Sequence, residues 1–155
     1  MIPSDKEISQ VKLDLPNQNV IKIDVKRTRP EADDRLAFKN YLELLLTYYC
    51  KYMKISYKQG LNELFAPFLC LHQSSPSISL QGVMKMCMMF SEIFAGGFYI
   101  DEEFIALEHS FVVIQILLKY HDPELFFYLK KNEITPELYS TPWLLTLFAS
   151  YLFFS

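Results

Sequence analysis

Two short polar stretches contain the residues of this sequence that could do chemistry. "IKIDVKRT" (21–28) places the carboxylate of Asp24 three residues before Arg27, and "YKQGLNE" (57–63) places Gln59 before an apolar run. A guanidinium is a permanent planar cation, and an amide side chain both donates and accepts hydrogen bonds. The stretches are either ordinary solvated helix ends, with a weak i, i+3 ion pair, or they deliver two reactive side chains to one place.

The other reactive residue types are scattered along the chain. His72, His109 and His121 have no i, i+4 partner and no neighbouring cysteine, so the sequence predicts no metal site. No serine lies in a GxSxG turn, and there is no glycine-rich phosphate loop. If the protein acts on a nucleotide, we therefore expect a partner to hold that nucleotide.

Length and composition favour one α-helical domain without a nucleic-acid partner. The chain has 155 residues, is 51% hydrophobic and contains four glycines, which are few for a sheet with many tight turns. Its net charge is −3, so overall charge does not indicate nucleic-acid binding. Basic residues cluster locally at Lys22, Lys26 and Arg29, beside Arg27, either as a solvated rim or as a surface for an anionic partner.

Cysteine usage and hydropathy predict a cytoplasmic protein without a transmembrane segment. The three cysteines, Cys50, Cys70 and Cys87, form no CxxC pair, which is typical of reduced thiols. The longest apolar run, "WLLTLFASYLFF" (143–154), has about a dozen residues, whereas a membrane span needs roughly 20. The first dozen residues are charged and have no apolar core of a signal peptide.

Apolar periodicity predicts an all-α domain of six helices and no strand. The first twenty residues are polar and show no sustained period, so we expect an extended lead-in there. The helical segments are expected near 35–53, 59–72, 83–94, 104–118, 122–131 and 143–154.

Prolines and glycines predict where these helices begin and end. Pro67 lies inside the second helix, where we expect a kink or an early end because proline removes a backbone donor. Gly96-Gly97 should end the third helix. Asp122-Pro123, Thr135-Pro136 and Thr141-Pro142 each predict a helix start, because proline at the first position lacks only an N–H that would be unpaired anyway.

The two polar stretches resemble signature motifs of the TBC domain, the all-helical module of GTPase-activating proteins for Rab GTPases. "IKIDVKRTRP" is similar to IxxDVxRTxP, and "YKQGLNE" is similar to YxQGMND. A later block, "HDPELFFYLKKNEITPELYSTPWLLTLFAS", is similar to the part of that domain that ends in W-x-LTLF. The motifs occur in the family's order over about residues 20–150, and HDPEL and LYSTPW most resemble the kinase-like TBC proteins.

The resemblance implies a function and roles for individual residues. Arg27 would be an arginine finger and Gln59 a glutamine finger that stimulate GTP hydrolysis by a Rab GTPase in vesicle traffic. The first meets the need for positive charge at the β/γ oxygens, and the second orients the attacking water. Asp24, Tyr57 and Asn62 would support these fingers. No cofactor of the protein's own is expected, because GTP and Mg²⁺ are bound by the partner GTPase.

The sequence also departs from the family pattern. Leu61 stands for the usual Met and Glu63 for Asp, and the family continues for several helices beyond Ser155. We therefore expect a polar lead-in over 1–19 and a partial TBC domain over 20–155, truncated at the C-terminus and at the N-terminus.

Two further expectations concern the surroundings of the domain. Lys22, Lys26 and Arg29 would form the rim of the partner-binding surface, and partners would recruit the protein peripherally to endomembranes. The alternative function is a non-catalytic TBC-like module, or an inactive fragment, that binds a small GTPase or tether without stimulating hydrolysis.

Overall fold

The computed structural model describes residues 3–28, 35–75, 77–101 and 103–149, and these ranges contain helices joined by turns, without a strand. This confirms the predicted all-α class. The α-helices are α1 (Asp5–Ser9), α2 (Gln18–Arg27), α3 (Arg35–Met53), α4 (Leu61–Ser74), α5 (Leu80–Phe90), α6 (Gly96–Ile100), α7 (Ile105–His121), α8 (Pro123–Lys131) and α9 (Pro136–Thr146). A π-helical turn, Ser91–Ala95, joins α5 to α6.

The first twenty residues are not an extended lead-in throughout. Ser4 and Glu7 form a capping box in which the Ser4 N–H donates to Oε2 of Glu7 across 2.8 Å. Ile8 is fully buried where α1 packs on α3 and α5. The predicted extended conformation is therefore wrong over Asp5–Ser9, because one buried side chain stabilises a helix too short to show a period.

The long helix α3 lies at the centre of the core and sets the positions of the two polar stretches. Phe38, Leu42 and Leu46 on α3 are fully buried. Tyr49 packs edge-on against Phe65 of α4, with 5.0 Å between ring centroids. Helices α2 and α4 both pack on α3 and also contact each other. The polar stretch at the end of α2 and the one before α4 are thereby held at neighbouring helix ends.

Two predicted helix boundaries differ from the structure, and one of the two outcomes expected at Pro67 does not occur. Helix α4 continues past Pro67 to Ser74, so the early end is not observed. Gly96-Gly97 opens α6 instead of ending a helix, because the π-helical turn has already ended α5. Pro142 lies inside α9 and does not begin a helix. Leu138, whose carbonyl loses its helical donor there, is exposed, so water can replace that donor.

Other predicted starts are confirmed. Oδ1 of Asp122 accepts a hydrogen bond from the Leu125 N–H across 2.9 Å, and Pro123 is the first residue of α8. Thr135 precedes Pro136 at the start of α9. No helix in the described part of the chain combines the length and the apolar character needed to cross a membrane.

Candidate functional site

The two polar stretches meet at one cleft. Arg27, at the end of α2, and Gln59, in the turn before α4, both line a cleft of about 470 Å³. Its other lining residues are Asp24, Gly60, Asn62, Glu63, Thr141, Pro142, Leu145 and Thr146. The last four belong to α9, which forms a third wall that the sequence did not indicate.

Asp24 and Arg27 form an ion pair at the edge of this cleft. Nη2 of Arg27 donates to Oδ1 of Asp24 across 2.6 Å, and the Asp24 side chain is only 3% exposed whereas that of Arg27 is 65% exposed. Helical spacing explains the contact, since residues three apart lie on one face of α2. Arg27 can therefore pair with Asp24 and still present its positive charge to the cleft.

Tyr57 joins the two polar stretches inside the protein. Its hydroxyl lies 3.0 Å from Oδ2 of Asp24 and 3.0 Å from Oδ1 of Asn62, and it can donate its proton to either oxygen. Burial, together with the negative charge of Asp24, raises the pKa of Tyr57 far above its ordinary value. The hydroxyl therefore stays protonated and remains a donor at any physiological pH.

Asn62 completes a ring of hydrogen bonds around this contact. Its Oδ1 accepts from the Gly60 N–H across 3.1 Å, and its Nδ2 donates to Oγ1 of Thr28 across 2.7 Å. The Thr28 hydroxyl in turn donates to the backbone carbonyl of Asp24 across 2.9 Å. The end of α2 and the turn that carries Gln59 are thus fastened to each other by buried polar groups.

Gly60 is required by the conformation of that turn. Its φ is +105°, in a region that residues with a Cβ rarely adopt. A Cβ at this position would lie 3.1 Å from the Tyr99 hydroxyl and 3.3 Å from Cβ of Leu145. The backbone next to Gln59 therefore lies directly against α6 and α9.

Several residues of this network were missed by the sequence analysis. Asn17 donates from Nδ2 to the Tyr57 carbonyl across 3.0 Å, but it fell within the expected lead-in. Thr28 was visible only as the Thr of the IxxDVxRTxP pattern. Tyr99 lies in "GGFYI", where no periodic or motif signal indicated a role.

The two lysines of the basic cluster do not belong to the cleft lining. Lys22 and Lys26 are exposed and one helical turn apart on α2, and neither lines the cleft. Arg29 lies outside the described residues. A rim role for these three residues stays a prediction.

The described residues contain no cluster of metal ligands, and two of the three cysteines are buried. Among them, no three His, Cys, Asp or Glu side chains are grouped so that they could hold a metal ion. Burial raises the pKa of the Cys50 thiol to about 12 and also raises that of Cys87. Both thiols therefore stay protonated and are poor nucleophiles.

Comparison with known proteins agrees with the motif resemblance. The model of the Rab-GTPase-TBC domain family matches residues 3–155. A "TBC domain-containing protein kinase-like protein" of Dictyostelium discoideum is 34% identical over 96 residues, which are 62% of this chain and 9% of that protein. The proteins of the same name in Mus musculus and Homo sapiens are each 26% identical over 148 residues, which are 95% of this chain and 15% of each relative.

These relatives are much longer than the chain, which spans at most 15% of their length. The family match, however, extends over nearly all of the chain and includes both polar stretches that line the cleft. The chain therefore belongs to the Rab-GTPase-TBC domain family.

Proposed function

We propose that this domain stimulates GTP hydrolysis by a Rab-type small GTPase, by presenting Arg27 and Gln59 to the nucleotide bound by that partner. The observation that carries the proposal is that both side chains line one cleft, above a buried hydrogen-bond network that joins their backbones. GTP and Mg²⁺ are held by the partner, and the domain contributes no cofactor. It acts in the cytoplasm in vesicle traffic, on endomembranes to which its partners bring it.

Arg27 supplies the positive charge in this proposal. Charge develops on the β/γ oxygens as the γ-phosphoryl group is transferred, and a guanidinium that contacts these oxygens stabilises the transition state. The contact with Asp24 uses Nη2, and a guanidinium carries five N–H donors in a planar fork. Asp24 therefore orients the side chain while other N–H groups of the fork contact phosphate oxygens.

Gln59 orients the attacking water. Its amide can accept a hydrogen bond from the water and donate one to a phosphate oxygen. The side chain is exposed at the cleft, and the turn that carries it is tied to α2 through Asn62 and Tyr57. Asp24, Tyr57 and Asn62 act as positioning residues for the two fingers.

The test is single-turnover GTP hydrolysis by a panel of GTP-loaded Rab proteins, with and without the domain. We expect Arg27→Lys to lose about 10³–10⁵-fold of the stimulated rate, which corresponds to roughly 4–7 kcal/mol. The pair involves the buried carboxylate of Asp24 and can contribute to stability, so urea denaturation measures that contribution separately from the hydrolysis rate. Lysine keeps the charge but loses the planar fork.

The controls separate catalysis from folding and from binding. Gln59→Ala should also lose stimulation, and the double variant should fall no further than Arg27→Lys alone if the two fingers act as one unit. Circular dichroism should show unchanged helix content for each variant. Equal stimulation by wild type and Arg27→Lys would show that the finger assignment is wrong. A wild type that binds Rab proteins and stimulates none would support the non-catalytic binding module.

A further inference from the structure

We infer that Tyr99 is a positioning residue for Gln59, acting through the backbone of Gly60, the residue that follows Gln59. The inference rests on the proposed function and adds to it a residue that no motif contains. Three contacts carry it: those of the Tyr99 hydroxyl, of Gly60 and of Lys58.

The first contact joins α6 to the end of α9. Tyr99 is 1% exposed, and its hydroxyl donates to the backbone carbonyl of Leu145 across 2.6 Å. That carbonyl lies in the last turn of α9, where carbonyl groups have no donor within the helix. Tyr99 therefore fixes the wall of the cleft that faces the Gln59 turn.

The second contact lies immediately after Gln59. A Cβ on Gly60 would be 3.1 Å from Oη of Tyr99, so the backbone of Gly60 lies close to the same hydroxyl that binds Leu145. Only a glycine allows this approach, since its φ is +105°. The hydroxyl thus lies against the turn and is bonded to the α9 wall.

The third contact lies immediately before Gln59. Nζ of Lys58 donates to the carbonyl of Asp101 and lies 3.4 Å from the carbonyl of Phe98. It also lies 3.9 Å from the centroid of the Phe104 ring. Lys58 is therefore bound to α6 and to the turn that follows it.

Both chain neighbours of Gln59 are consequently held by one short segment, α6 together with Asp101 and Phe104. The exposed Gln59 side chain projects from a backbone whose position this segment sets. A displacement of a catalytic group by 1 Å can reduce a rate by about 10²-fold. Loss of the Tyr99 hydroxyl should therefore reduce the rate of the chemical step more than it reduces the affinity for the GTPase.

The variant that tests this is Tyr99→Phe, which keeps the ring and removes only the hydroxyl. We expect about a 10- to 100-fold lower single-turnover rate at saturating domain, with less than about a threefold change in the concentration that gives half-saturation. Tyr120→Phe is the matched control, because Tyr120 is 80% exposed on α7 and does not line the cleft. A rate for Tyr99→Phe equal to that of Tyr120→Phe would overturn the inference.

A double-mutant cycle separates positioning from a general loss of structure. If Tyr99 acts through Gln59, then Tyr99→Phe should cause no further loss in a Gln59→Ala background. An equal loss in both backgrounds would mean that Tyr99 acts independently of Gln59, and the inference would be wrong.

The same set of proteins distinguishes failure of the inference from failure of the proposed function. Stimulation by wild type, its loss in Arg27→Lys and its full retention in Tyr99→Phe would leave the proposed function standing without this inference. If wild type stimulates no GTPase, the proposed function fails, and hydrogen exchange tests the positioning contact by itself. The Gly60 and Leu61 amides should exchange at least about tenfold faster in Tyr99→Phe than in Tyr120→Phe. Equal amide exchange rates in Tyr99→Phe and Tyr120→Phe would overturn the inference.

Discussion

The Tyr57 hydroxyl lies 3.0 Å from Oδ2 of Asp24, although the two residues are 33 positions apart in the sequence. Both are buried, at 6% and 3% exposure. The contact joins the stretch that contains Arg27 to the stretch that contains Gln59, so the same buried pair contributes to the stability of the fold and to the geometry of the cleft. Changes in this pair should therefore affect stability as well as any activity of the cleft.

The first prediction is that Tyr57→Phe destabilises the protein. Without the hydroxyl, a buried oxygen of Asp24 loses its donor, which costs about 1–3 kcal/mol of the free energy of unfolding. Urea denaturation followed by circular dichroism measures this difference. Tyr120→Phe, on an exposed ring, should change the free energy of unfolding by no more than about 0.5 kcal/mol. Equal midpoints for the two variants would show that the Tyr57 contact adds no net stability.

The second prediction compares two glycine-to-alanine variants that should change the free energy of unfolding in opposite directions. Gly60→Ala forces a Cβ onto a backbone with φ +105° and to within 3.1 Å of Oη of Tyr99. We therefore expect the free energy of unfolding to fall by at least about 1–2 kcal/mol. Gly82→Ala lies in α5, and its Cβ would be 3.6 Å from Cγ2 of Ile78, an ordinary contact. The free energy of unfolding of Gly82→Ala should therefore be about 0.5–1 kcal/mol higher than that of wild type.

Thermal and urea denaturation of the two alanine variants provide the measurement. If Gly60→Ala is as stable as wild type, the turn before α4 can adopt another conformation. The close contact of Gly60 with α6 would then not be required for folding.

How far the sequence predicts this fold depends on how much of an element's stability is local. Helix α8 was predicted correctly because Asp122 and Pro123 act on their own helix start. Helix α1 was missed because it depends on Ile8 being buried against helices distant in the sequence. The prediction that Pro142 begins a helix was wrong because an exposed helix face tolerates the loss of one backbone hydrogen bond.

The candidate site also contains residues that local sequence motifs predict and residues whose position depends on packing. Asp24, Arg27, Tyr57, Gln59 and Asn62 could be selected because they lie in two short motifs, and the structure brings all five to one cleft or its hydrogen-bond network. The α9 wall and Tyr99 could not be selected. Their place at the cleft depends on how α6 and α9 pack against the Gln59 turn, and neither periodicity nor capping encodes that packing.

The third prediction concerns the apolar surface of α7 and α8. Helix α7 buries Leu107 and Phe111, yet its other faces are also apolar. The exposed apolar side chains of the two helices include Val112, Val113, Ile116, Leu117, Tyr120, Phe127 and Tyr128. Exposed apolar surface of this kind promotes association and binds hydrophobic dyes. We therefore expect the folded protein to bind such a dye and to be poorly soluble.

The matched variant combines Ile116→Glu with Leu117→Lys, which leaves the net charge unchanged. Fluorescence of a bound hydrophobic dye should fall in this variant while the helix content, measured by circular dichroism, stays the same. A monomeric wild type with a cooperative melt and no dye binding would contradict the prediction.

The fourth prediction is that the basic cluster of Lys22, Lys26 and Arg29 affects association with the proposed GTPase partner more than it affects the stimulated hydrolysis rate. Exposed charges at a rim steer encounter and contribute little to a chemical step. Replacing all three residues by glutamine should therefore lower the association rate and reduce its dependence on salt, because screening weakens only the interactions of charges that remain. The stimulated rate at saturation should stay within about twofold of wild type, since a rim charge acts mainly on association.

The control removes the same amount of positive charge elsewhere on the surface, by replacing Lys85, Lys130 and Lys131, which are all exposed, with glutamine. Association rates of both triple variants with a GTP-loaded Rab protein are measured over a range of ionic strength. If the two variants associate equally fast at low salt, net charge alone accounts for the effect and the cluster is not at the partner-binding rim. A larger loss for the variant of Lys22, Lys26 and Arg29, which disappears as salt screens the charges, would place the partner beside Arg27.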